Sequence, residues 1–171
     1  ILWHGRGGQG AFTAARLLGD AYSLKDNAYA LAFPSFGPER RGAPIRAFTK
    51  LDKKPIGNRS EITRSNYSIF LDDTLFNEKS FRELKQNGII LLNTKKTFED
   101  PRVITLDGDG IAARILGLPI TNTILLGAFA AVSGEISLEE IFLRLTDDSI
   151  EGKTLKDSLK QRKNQEDKEE E

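Results

Sequence analysis

The residue types best suited to chemistry stand near the start of the chain. Gly5, Gly7, Gly8 and Gly10 follow the apolar run Ile1–Trp3 and precede the helix-forming stretch Ala11–Leu18. Glycines between a strand and a helix let the backbone turn tightly and approach a guest, while the helix N-terminus offers unpaired N–H groups to an anion. A phosphate or carboxylate is the natural guest of Gly7, Gly8, Gln9 and Gly10. The alternative is a loop whose glycines serve only close helix–strand packing. The spacing fits G-x-G-x-x-G, but a dinucleotide site also needs an acidic residue at the end of the second strand, about 20 residues on. Here that strand ends Ala32-Phe33-Pro34, which argues against NAD. A P-loop fails too, because Ala11-Phe12 stands where Lys and Ser/Thr are required.

A second stretch, Phe33-Pro34-Ser35-Phe36-Gly37-Pro38-Glu39-Arg40-Arg41-Gly42-Ala43-Pro44, has its path fixed by prolines and glycines and is given an apolar anchor by Phe33 and Phe36. It presents Arg40 and Arg41, suited to bidentate contact with phosphate or carboxylate. Between Pro34 and Asn66 the net charge is +5 in a chain whose total is zero, a local field that suits an anion or an acidic partner surface. The competing reading is a solvated basic edge neutralised by pairs such as Glu39 with a neighbouring arginine.

Other candidates carry less. His4, the single histidine, stands beside the glycine loop, but next to Trp3 at a strand end it is expected to be structural. Asp72-Asp73 and Asp107/Asp109 follow apolar strands, where carboxylates cap the next helix more readily than they bind a divalent cation. Asn93-Thr94 and Thr121-Asn122-Thr123 are expected as caps or hydrogen-bonding loop ends. The chain has 171 residues and no cysteine, so it offers no disulfide, no thiolate nucleophile and no cluster ligand. Neutrality removes the usual support for nucleic-acid or membrane-surface binding, and no apolar run is long enough to span a bilayer. A soluble, cytoplasmic chain is expected, with no metal and no catalytic residue of its own.

Strands are expected at Ile1–Trp3, Ala28–Phe33, Ile45–Leu51, Tyr67–Leu71, Ile89–Leu92 and Val103–Leu106, and helices at Ala11–Leu18, Lys79–Gln86, Gly110–Leu116, Asn122–Val132 and Ser137–Leu145. Ser137-Leu138-Glu139-Glu140 is a capping-box pattern. The alternation predicts an α/β fold, a Rossmann-like three-layer sandwich with a mainly parallel sheet. One domain is expected over residues 1–150, followed by a charged tail over 151–171.

Taken in order, Trp3-His4-Gly5-Arg6-Gly7-Gly8-Gln9-Gly10, the Pro-Glu-Arg-Arg-Gly-Ala-Pro loop at 38–44, Arg59-Ser60, Leu71-Asp72 and Asn122-Thr123-Ile124-Leu125-Leu126-Gly127-Ala128 resemble the gamma subunit of 2-oxoacid:ferredoxin oxidoreductases. The resemblance lies with the pyruvate synthase (pyruvate:ferredoxin oxidoreductase) branch rather than the 2-oxoglutarate one, and it spans residues 1–145. It implies a subunit, inactive alone, of an enzyme (EC 1.2.7.-) that converts pyruvate or a related 2-oxoacid and coenzyme A to acyl-CoA and CO2 while reducing ferredoxin. It further implies partner alpha, beta and delta subunits holding thiamine diphosphate, Mg and iron–sulfur clusters, with coenzyme A bound at a shared site. Gly7, Gly8, Gln9, Gly10, Arg40 and Arg41 would make this chain's contacts to it, Glu39 orienting the arginines. The rival readings are a stand-alone nucleotide- or phosphate-binding protein and a purely structural subunit.

Overall fold

A strand covered on both faces must be apolar nearly throughout, and β1 (Leu2–Arg6) opens with Leu2 and Trp3 fully buried and His4 almost so. The structure, a computed structural model, describes residues 1–35, 41–118 and 120–146. After β1 come α1 (Ala11–Tyr22), β2 (Tyr29–Pro34), β3 (Pro44–Asp52), β4 (Ser65–Phe70), β5 (Leu84–Asn93), β6 (Val103–Leu106), α2 (Gly108–Leu116), α3 (Asn122–Ser133) and α4 (Leu138–Thr146). The strands form one sheet in the order β2-β3-β1-β4-β5-β6. β1, β4, β5 and β6 are mutually parallel, whereas β3 runs antiparallel to both β1 and β2. The expected mainly parallel α/β sheet is thus present, with β3 as its exception. The link from Pro34 to Pro44 is too short for a crossover, so the two strands it joins must turn back on each other.

Side chains alternate across the sheet, and the two faces are covered differently. Trp3, Ala47, Ile69 and Leu91 meet α1, α3 and α4 in the main core. Alanines at 11, 14, 15 and 21, with Leu18, line the buried stripe of α1, and their small size lets the helix lie close to the strands. Trp3 Nε1 donates to Thr49 Oγ1 at 3.0 Å and that hydroxyl donates to the Ala15 carbonyl at 2.9 Å, so β1, β3 and α1 share one buried polar chain. Phe129 of α3 meets Tyr67 edge-on.

On the other face Phe70, Ile90, Leu92 and Val103 are covered by Leu75, Phe76 and Phe81. These come from two 3-10 turns, Asp73–Leu75 and Glu78–Glu83. The α-helix expected at Lys79–Gln86 is therefore not formed. Asn77 opens a turn by a capping box with Ser80, but Leu84 already pairs with Ser65 in the sheet. Phe81 and Leu84 are three residues apart, a spacing that keeps them on one side of a 3-10 turn as readily as on an α-helix. The capping box expected at Ser137 is present: Glu140 N donates to Ser137 Oγ at 3.1 Å and Ser137 N to Glu140 Oε2 at 2.8 Å. The tail at 151–171 and the boundary near residue 150 lie outside the described residues.

Candidate functional site

β1 and β4 are adjacent and parallel, yet the chain leaves β1 towards β2 and β3 and leaves β4 towards β5 and β6. Their C-terminal ends therefore open a crevice between diverging connections, the usual place for a ligand in a sheet of this kind. The glycine loop lies at this edge and is joined to the end of the second predicted loop. Gly7 N donates to the Ala43 carbonyl and Gly42 N to the Gly7 carbonyl, both at 2.9 Å, and Gly7 pairs with Arg41. Two segments far apart in sequence thus form one surface.

Within it the glycines differ in duty. Gly8 is exposed with φ +97, and a Cβ there would sit 4.0 Å from Arg41 Cγ, so this is where the two loops come closest to sharing a guest. Gly10 has φ +79 and caps α1 without a side chain; a Cβ would lie 2.5 Å from Asn122 Nδ2. Its carbonyl accepts from Asn122 Nδ2 at 3.3 Å, which locks α3 onto the loop. Gln9 turns inward. Its Oε1 accepts from Arg6 N at 2.7 Å and its Nε2 lies 3.5 Å from Asp72 Oδ2, so its side chain closes the loop from behind. No side chain caps α1 and no acidic residue occupies its first turn, which leaves positive potential directed out of the helix end.

Arg41 is exposed and makes no ion pair or side-chain hydrogen bond among the described residues. Arg40, with Glu39, lies outside them. Two other cations of the basic segment are engaged, while Lys53, Lys54, Arg59 and Arg64 are exposed away from the glycine loop. Arg46 pairs with Glu83 at 3.4 Å and Glu61 at 3.7 Å, and Lys50 Nζ donates to the carbonyls of Asn58 and Ser60. Among the described residues, Arg41 is the basic side chain of this stretch that stands against the glycine loop.

The far wall of the crevice has opposite character. A cavity of about 410 Å3 is lined by Gln9, Asp72, Asp73, Asp107 and Asp109, with Lys95 and Lys96 at its rim. Two of its carboxylates, Asp72 and Asp107, are the caps that were expected, while Asp73 instead ties to Thr94 and Lys96. Asp72 accepts from Thr74 N at 3.0 Å, Asp107 accepts from Gly110 N at 2.8 Å, and Asp73 accepts from Thr94 Oγ1 at 2.8 Å. Among the described residues no group of three His, Asp or Glu is placed to hold a metal ion. Asn93, 4% exposed, donates to the Leu71 carbonyl and accepts from Gly108 N, fixing the ends of β4 and β5 to the start of α2. Asp72, Asp73 and Asp107 are paired with Arg6, Lys96 and Lys95, whereas Arg41, beside Gly8, keeps its charge unpaired among the described residues. A wide groove of about 700 Å3 at the other end of the strands, around Lys50, Arg64 and Lys85, is lined by none of Gly7, Gly8, Gln9, Gly10 and Arg41.

His4 lies on the face away from α1, stacked on Phe70 with ring centroids 4.1 Å apart and 2° between planes. Its Nε2 is 3.3 Å from Glu83 Oε2 but off the line of a hydrogen bond. The His4 imidazole first, and Arg46 after it, hold the Glu83 carboxyl below the usual carboxylate range despite its partial burial.

Asp72 was anticipated only as a cap, and its larger role escaped the sequence. Besides Thr74 it receives Arg6 Nε at 2.8 Å. Burial alone would raise its pKa, but the hydrogen bonds from Thr74 and Arg6 outweigh it and hold the carboxyl below its usual range. A carboxylate whose folded pKa is depressed stabilises the fold above its unfolded pKa, near 3.9, and loses that contribution as pH falls through the folded value. Asp72→Asn is therefore expected to lower stability at pH 7, with the deficit shrinking below pH about 4. Urea unfolding at the two pH values measures this; a deficit that is equal at both would show that charge is not what Asp72 supplies.

With this geometry in place, comparison with known proteins decides the family. The model of the pyruvate ferredoxin/flavodoxin oxidoreductase family matches residues 1–165. The chain belongs to that family. Pyruvate synthase subunit PorC of Methanothermobacter marburgensis is 44% identical over 156 residues, covering 90% of this chain and 87% of the relative. The common gamma subunit of the pyruvate/ketoisovalerate oxidoreductases of Thermococcus kodakarensis is 44% identical over 151 residues, covering 82% and 81%. Among solved structures, pyruvate oxidoreductase subunit PORC (EC 1.2.7.1) of Thermotoga maritima superposes with a TM-score of 0.75 at 34% identity, covering 88% and 84%. The chain is thus a gamma-type subunit of a 2-oxoacid:ferredoxin oxidoreductase, a multi-subunit enzyme. The glycine loop of this gamma subunit, and the segment paired with it, carry the residues through which the resemblance was first visible.

Proposed function

We propose that this gamma subunit binds the anionic end of coenzyme A within a complex that converts pyruvate, or a related 2-oxoacid, and coenzyme A to acyl-CoA and CO2 while reducing ferredoxin. The observation that carries the reading is Arg41, unpaired among the described residues and set against Gly8 beside the uncapped N-terminus of α1. Phosphate oxygens need charged donors held in place and backbone N–H groups without a competing cap. Gly8 allows the approach, Gly7 joins the two loops, Gly10 lets α1 start against Asn122 without a side-chain cap, Gln9 holds the loop shut from behind, and Arg40 and Arg41 supply the charge. Thiamine diphosphate with Mg and the iron–sulfur clusters, which supply the decarboxylation and electron-transfer chemistry, belong on alpha, beta and delta partners. With no cysteine, this chain offers no thiolate to a cluster. The chain is active only in that cytoplasmic assembly.

A second reading, docking, draws on a different observation. Ile115 and Leu116 at the end of α2 and Leu118 and Ile120 in its connection to α3 are exposed, shortly before Asn122 at the glycine loop, and apolar side chains of that kind suit a partner subunit. The two readings part in one experiment. In the purified complex, Arg40→Ala with Arg41→Ala is expected to raise the KM for coenzyme A about tenfold or more, leaving the 2-oxoacid KM and the assembly unchanged. Disassembly, with an unaltered KM in whatever complex survives, would assign the loop to docking instead.

A further inference from the structure

Arg6 occupies the middle of the glycine motif, yet its side chain points away from any guest. Nε donates to Asp72 Oδ2 at 2.8 Å, NH2 to Thr74 Oγ1 at 2.8 Å and NH1 to the Gly42 carbonyl at 3.1 Å. Its backbone N–H donates to Gln9 Oε1 at 2.7 Å. Every nitrogen of the guanidinium is engaged, and the three partners belong to two different segments, the turn after β4 and the strip before β3. With its own backbone in the glycine loop, Arg6 adds a side-chain tie among three pieces of chain just beyond the point where the sheet pairing of Arg6 with Pro44 and the Leu71 N–H to His4 carbonyl bond leave off.

We propose that Arg6 is a positioning residue: it fixes the glycine loop, residues 41–43 and the Asp72 turn as one preformed surface on which Arg41 meets the anion. The ligand is that of the coenzyme A reading, on which this proposal rests. Three features support the assignment. The planar fork reaches carboxylate, hydroxyl and carbonyl at once, which the single ammonium of a lysine cannot reproduce. Asp72 is itself held by Thr74, so the fork closes on a fixed partner rather than a mobile one. Arg41, one residue from the Gly42 carbonyl that Arg6 grips, has no side-chain partner among the described residues, so its placement depends on a backbone held by Gly7 and by Arg6. A surface fixed before binding spares the ordering cost that a loose one incurs when the ligand arrives.

The test uses the purified complex carrying Arg6→Ala or Arg6→Lys, with amide hydrogen exchange and steady-state kinetics as separate readouts. Arg6→Ala is expected to lose protection at the Gly7 and Gly42 amides while core amides of β5 keep theirs. It is also expected to raise the KM for coenzyme A about tenfold without moving that for the 2-oxoacid, with Arg6→Lys between it and the parent in both readouts. Unchanged protection at Gly7 and Gly42 overturns the proposal, as does an equal rise in both KM values. Lost protection with an unmoved coenzyme A KM overturns Arg6 as a positioning residue if the Arg41 variant still raises that KM. If neither variant raises it, the coenzyme A reading fails as well.

Discussion

Gly10→Ala is expected to destabilise the chain by about 3 kcal/mol, with two separable causes. The first is backbone: φ +79 lies in the left-handed region, which costs an L-residue roughly 1 to 2 kcal/mol. The second is space. The new methyl would lie 2.5 Å from Asn122 Nδ2 and 3.1 Å from its Cγ, and Asn122, 7% exposed, has little room to retreat without releasing the Gly10 carbonyl it donates to. Overpacking of this kind costs about 1 to 3 kcal/mol. Asn122→Ala removes the obstruction but not the left-handed requirement, so in that background Gly10→Ala should cost only about 1 to 2 kcal/mol. A denaturant-unfolding cycle over the four chains measures the difference. Equal costs in both backgrounds would mean that Asn122 does not dictate glycine at this position.

A comparable effect is expected from Trp3→Ala, about 3 to 5 kcal/mol. Trp3 is fully buried at the centre of the helical-face core and is one of its largest side chains. Its removal leaves a cavity under α1 and strips Thr49 of a donor. Trp3→Phe should cost far less, on the order of 1 to 2 kcal/mol. It keeps most of the volume, and Thr49 Oγ1 can still donate to the Ala15 carbonyl. Thermal or urea unfolding of the two variants separates volume from the hydrogen bond. A loss below about 1 kcal/mol for Trp3→Ala would place the centre of the core elsewhere.

The sequence was most legible where local pattern and tertiary need agree. Apolar runs marked every strand, small residues at helical spacing marked α1, and Ser137 with Glu140 marked the start of α4 to the residue. Legibility failed where long-range pairing overrode local pattern. The Phe81/Leu84 spacing was read as α-helical, but the pull of Leu84 into the sheet beside Ser65 shortened the segment to a 3-10 turn. α2 begins at Gly108 rather than Gly110, because Asn93, fifteen residues earlier, accepts the Gly108 N–H. At the candidate site the glycines and arginines stood out as residue types, but their division of labour did not. Nothing in Gly5 to Gly10 discloses that Gln9 and Arg6 turn inward to Asp72, or that Gly10 is empty for Asn122's sake. Those assignments depend on partners more than sixty positions away, for which one sequence provides no spacing rule.

The position of β1 between β3 and β4 also bears on how the chain reaches this state during synthesis. β1 leaves the ribosome before both of the strands that flank it, which end at Asp52 and Phe70. At about 5 to 20 residues per second, Leu2 and Trp3 wait roughly 3 to 14 s before both flanks of their slot exist. Through that interval an apolar segment destined for the middle of the sheet stands without a partner. Until Phe70 has emerged, β1 is therefore open to mispairing and to chaperone capture, and the glycine loop that follows it acquires its shape only afterwards.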